Sequence, residues 1–145
     1  MNSPLLDKSL DFATQIVLFY EEFSKSKKDT TIAKQLLRSA TSVGANINEA
    51  IYGNSKADFI SKLHISLKET GESIYWLKLL KNTKLANYDF DCLLSLAEEI
   101  KRMLIASLNT AKENTNDICV QRSCFCKRIS RFTRVDRLEQ NGERV

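Results

Sequence analysis

Between residues 33 and 80 the chain reads AKQLLRSATSVGANINEAIYGNSKADFISKLHISLKETGESIYWLKLL, two helical patterns around one short break at Gly53 to Ser55. The first is crowded with small residues and the second with long ones. Ser, Thr, Gly and Asn give up helix propensity, so Arg38 to Asn46 would make a poor helix in solvent. Yet Ile32, Leu36, Ala40, Val43, Ile47 and Ile51 keep an apolar stripe through it. Small side chains let another helix backbone approach, so the segment reads as the closely packed inner helix of a bundle.

The remaining patterns are also helical. Pro4, the single proline, precedes a first helix from about Leu5 to Lys27, with Leu6, Leu10, Ala13, Ile16 or Val17, Tyr20 and Phe23 facing inward. Asp29 or Thr30 suits the N-cap of a second helix that stops at Gly53. Ser55 with Asp58 resembles a capping box opening a third, which turns Phe59, Leu63, Leu67, Ile74, Leu77 and Leu80 inward and pairs Asp58 with Lys62. A fourth begins near Asp89, buries Leu93, Leu96, Ile100, Met103 or Leu104 and Leu108, and ends before the polar run from Lys112 to Asp117. Short connections make sequential helices antiparallel neighbours. The predicted fold is all-α, an up-down four-helix bundle over residues 1–115, followed by a basic tail, 116–145, that need not be ordered.

Two blocks carry a resemblance to a known family. Leu36 or Leu37, Arg38, Ser39, Ala40, Thr41, Ser42, Val43, Ala45 and Asn46 form the first. Ser55, Lys56, Asp58 and Phe59, then Lys68, Glu69, Glu72, Tyr75, Trp76 and Leu77, form the second. Over roughly residues 5–113 the chain resembles the small bundle proteins encoded in intervening sequences of bacterial 23S ribosomal RNA genes, which are related to the accessory protein of diversity-generating retroelements. The resemblance implies RNA or DNA partners and a homopentamer. It marks Arg38, Ser39, Asn46, Glu49, Glu72, Tyr75 and Trp76 as motif or interface residues. Read from the residues, Arg38 and Asn46 make hydrogen-bonded contacts with a neighbouring helix, and Tyr75 and Trp76 fill the core and a subunit seam.

Charge divides the chain. Residues 1–115 hold 13 Lys and 2 Arg against 14 acids, whereas 116–145 hold 1 Lys and 6 Arg against 4 acids. One reading of the tail is an arm for phosphate, with Arg122, Lys127, Arg128, Arg131, Arg134 and Arg137 as contacts. The other is an end altered by a shifted frame or fusion.

Chemistry is sparse. The only histidine is His64, and Cys119, Cys124 and Cys126 lack the fourth ligand of a zinc site. Cys92 reads as a small core side chain. Glu49, Glu69 and Glu72 lack the Glu-x-x-His element of di-metal bundles. No cofactor, small-molecule substrate or membrane partner is expected. The start carries no targeting pattern, so the expectation is a cytoplasmic, non-enzymatic oligomer associated with RNA, or alternatively a scaffold that binds another protein.

Overall fold

The computed structural model describes residues 3–26 and 28–132, with side chains as far as Glu113. Its described residues form α1 (Pro4–Ser24), α2 (Thr31–Ile51), α3 (Lys56–Thr83) and α4 (Phe90–Phe132). The chain divides into two compact units, Met1–Asn109 and Thr110–Val145. The first holds the bundle. α4 continues past the polar run at Lys112 to Asp117, where the sequence pattern predicted its end.

Local chemistry sets the helix ends. Ser3 caps α1 by accepting from the Leu6 amide at 3.4 Å, with Pro4 in the first turn. Asp29 Oδ1 accepts from the Thr31 amide at 2.8 Å and the Thr31 hydroxyl at 2.6 Å, opening α2. Those bonds stabilise the ionised form and lower the Asp29 pKa. Ser55 Oγ accepts from the Asp58 amide at 3.1 Å, the capping contact the sequence predicted. α3 stops at Lys84, which adopts the left-handed conformation with φ 51°. Asp89 Oδ1 accepts from the Asp91 amide at 3.0 Å as α4 begins.

Buried positions recur three and four residues apart on every helix, the spacing that keeps a seam facing its partners along a bundle. On α2 they are Ala33, Leu36, Ala40, Val43, Ile47 and Ala50, and on α4 Phe90, Leu93, Ala97, Ile100, Leu104 and Leu108. α1 differs from its predicted register: Leu5, Ser9, Phe12, Ile16, Phe19 and Phe23 are buried, while Leu10 is 65% exposed. At one end Phe19 packs edge-on against Tyr88 at 4.9 Å and Phe90 at 5.4 Å. Lys28 donates to the Leu85 carbonyl there at 2.6 Å. Cys92 is exposed, because Leu93 takes the inward position beside it.

Candidate functional site

The two motif blocks meet along the α2–α3 seam. Three contacts fix its antiparallel register: Ser39 with Ser73, Val43 with Ser66, and Glu49 with Lys62. Small residues permit the approach, and hydroxyls then bridge the helices. Ser73 Oγ lies 2.9 Å from Ser39 Oγ and 2.9 Å from the Glu69 carbonyl. Ser66 Oγ donates to the Val43 carbonyl at 3.0 Å, and Thr70 Oγ1 to the Ser66 carbonyl at 2.8 Å. These four hydroxyl residues are buried. Every buried side-chain nitrogen and oxygen among the described residues has a hydrogen-bond partner, so the seam carries polar groups without an orphaned donor.

The outer edge of the seam is charged. Lys62 Nζ reaches Glu49 Oε2 at 2.5 Å, replacing the Asp58–Lys62 pair predicted along one helix. The hydrogen bond to Glu49, and then its charge, raise the Lys62 pKa. Asn46 Nδ2 donates at 2.8 Å to the Ser42 carbonyl of its own helix. Arg38 is exposed, with no side-chain partner among the described residues. Neither makes the predicted bond to a neighbouring helix. The residues sit about 80° apart around α2, too far to share one contact line.

The aromatic pair also departs from expectation. Trp76 is half-buried and its Nε1 donates to Glu72 Oε1 at 3.0 Å, but Tyr75 is 60% exposed. Their rings meet edge-on at 5.0 Å and 72°. Consecutive residues point about 100° apart on a helix, so with Trp76 on the flank toward α2, Tyr75 is turned to solvent. The structure thus unites Ser39, Asn46, Glu49, Glu72 and Trp76 along one seam and leaves Tyr75 outside it.

What the residue pattern missed is the role of Ser66, Thr70 and Ser73. Their spacing matches that of Leu63, Leu77 and Leu80 on the same face, which was the available signal. His64 is half-buried on α3. Among the described residues no group of three or more His, Cys, Asp and Glu side chains could hold a metal, and no helix is long and apolar enough to cross a membrane. Arg122, Lys127, Arg128 and Arg131 lie on α4, but their side chains, like those of Cys119, Cys124 and Cys126, fall outside the described part. Arg134 and Arg137 lie outside the described residues altogether.

The family model described as 23S rRNA-intervening sequence protein matches residues 2–106. No curated protein matches the chain. Among solved structures, a protein of unknown function from the S23 ribosomal protein family of Bacteroides thetaiotaomicron VPI-5482 is 43% identical, with a TM-score of 0.69. The likeness covers 72% of this chain and 97% of that one.

Proposed function

The chain belongs to the 23S rRNA-intervening sequence protein family, and from that premise we propose that it is a non-enzymatic, cytoplasmic, oligomeric helical bundle that associates with RNA. The observation that carries the non-enzymatic part is the engagement of the motif's polar groups. Ser39 binds the Leu36 carbonyl and Ser73, Asn46 the Ser42 carbonyl, Glu49 the Lys62 ammonium, and Glu72 the Trp76 indole. Two of these bonds, Ser39–Ser73 and Glu49–Lys62, join α2 to α3 and the others stay within one helix, so these groups work as architecture, with recognition left to the surfaces they position.

The RNA association draws support from the family's tie to ribosomal RNA genes and from the assignment of the solved relative to a ribosomal protein family. The chain's net charge of +4 and its arginine-rich end suit a phosphate partner. The assembly proposed is a homopentamer, as the family resemblance implies. The exposed Leu10, Val17 and Leu18 of α1 supply apolar surface that a second copy would cover.

Filter-binding titrations of the full chain with structured RNA, single-stranded RNA and duplex DNA at low salt test the reading, with light scattering on the same samples. Saturable RNA binding by an oligomer is expected. An oligomer that retains no nucleic acid would favour the scaffold reading, in which the α1 face docks another protein. A 16.6 kDa monomer would overturn the assembly.

A further inference from the structure

A second face of α3 carries a pattern that the bundle does not use. His64, Lys68, Gly71, Tyr75, Lys78 and Asn82 recur at spacings of four and three residues, forming one stripe on the opposite side of α3 from the buried Ser66 and Ser73. All but the half-buried His64 are exposed. Neither Lys68 nor Lys78 is in an ion pair among the described residues. They stand about 15 Å apart along the helix axis, with Tyr75 between them.

Gly71 is the informative residue. A mid-helix glycine costs about 1 kcal/mol relative to alanine. The usual reasons for accepting that cost are absent here: its φ is not positive, and a Cβ built on it meets nothing within 4 Å. Gly44 on α2 is the contrast, since a Cβ there would lie 3.2 Å from Ser9 Oγ. Gly71 therefore leaves a bare strip of backbone one turn before Tyr75, on the outside of the molecule. Tyr75 is also braced, its edge against Trp76, which Glu72 holds in turn.

The neighbouring helix adds charge. The Lys81–Asp91 ion pair sets the antiparallel register of α3 and α4, which brings Arg102 level with Gly71. Arg102 is exposed and in no ion pair among the described residues. Glu98 pairs with Lys101 at 3.7 Å, while Glu72, whose carboxylate accepts from the neutral Trp76 indole, keeps its charge beside the stripe. The surface thus combines a solvent-facing aromatic ring, an open strip beside it and three cations outside any ion pair among the described residues.

We propose that this α3–α4 face is a single-stranded RNA contact surface, in which an unpaired base stacks on Tyr75 and its flanking phosphates meet Lys68, Lys78 and Arg102. An aromatic face stacks on any base, and that contact requires a base out of its duplex. Free ammonium and guanidinium groups complement the phosphate run. The inference rests on the RNA reading above and assigns part of the binding to the bundle rather than to the arginine-rich end.

The test is filter binding of the full chain to a labelled single-stranded RNA, with Tyr75→Ala, Tyr75→Phe, the double variant Lys68→Gln/Lys78→Gln, and Lys25→Gln on α1 as control. Circular dichroism checks each fold. Tyr75→Ala is expected to weaken binding about five- to 150-fold, whereas Tyr75→Phe, which keeps the ring, binds as the parent does. The lysine double variant should lower the magnitude of the log–log salt slope by about 1.4. Should Tyr75→Ala fold poorly, the lysine variant alone decides. Parent-like binding and slope in both variants would overturn this surface while leaving the RNA reading intact. A parent chain that binds no RNA would overturn both.

Discussion

The hydroxyls of Ser39 and Ser73 lie 2.9 Å apart, both buried between α2 and α3. Two serines at one level of a helix seam draw the backbones together where leucines would hold them apart, and the hydrogen bond compensates the desolvation of both groups. The Ser73 hydroxyl that donates to Ser39 also lies 2.9 Å from the Glu69 carbonyl, its alternative acceptor, while Ser39 donates to the Leu36 carbonyl at 3.2 Å. Ser73→Ala should therefore cost only about 1 kcal/mol. Ser73→Leu should cost about 1–3 kcal/mol or more by overpacking. Urea denaturation of both variants checks the order.

Gly44 and Ala45 face opposite demands. Gly44 sits against Ser9, while Ala45 is exposed, although the small-residue run suggests that both are packed. Gly44→Leu should destabilise the bundle by at least about 1–3 kcal/mol. Ala45→Leu should change its stability by no more than about 0.5 kcal/mol. Paired denaturation curves test the contrast, and a change of oligomer size in Ala45→Leu would locate a subunit contact on the outer face of α2.

Lys84 closes α3 in the left-handed region, where a side chain carries a steric penalty that glycine lacks. Lys84→Gly should stabilise the protein by about 0.5–1 kcal/mol after the entropy of the unfolded glycine is deducted. A lower melting temperature than the parent's would show that the lysine side chain contributes more than its conformation costs.

Asp29 gives α2 an acid-sensitive start. Its pKa lies below the usual 3.8, chiefly through the Thr31 hydroxyl and then the Thr31 amide. A group with a lowered folded pKa contributes stability above its unfolded value and loses it as pH falls through the folded one. The stability difference between the parent and Asp29→Asn should thus be largest near neutrality and shrink below about pH 4. Thermal melts of both proteins across that range measure it, and a difference independent of pH would contradict the assignment.

The helices and the α2–α3 seam were legible because apolar spacing, caps and small residues agree there. α1 was harder, since it carries two stripes in neighbouring registers. Leu6, Leu10, Ala13, Val17 and Tyr20 form one, and Leu5, Ser9, Phe12, Ile16, Phe19 and Phe23 the other. Ser9 lowers the apolar character of the stripe that is buried, yet Gly44 gives that serine its place in the core. Tyr75 and Trp76 could not be told apart by type, because only the direction of α2 decides which ring is covered. Cys92 was lost in the same way: a small thiol beside Leu93 has no pattern of its own.

The most direct test of the account is the salt dependence of single-stranded RNA binding by the full chain. Log K should fall linearly with log salt, with a slope of about −0.7 for each phosphate contact, and Tyr75→Ala should weaken binding while leaving that slope unchanged. Failure to bind RNA at low salt, or binding indifferent to salt, would contradict it.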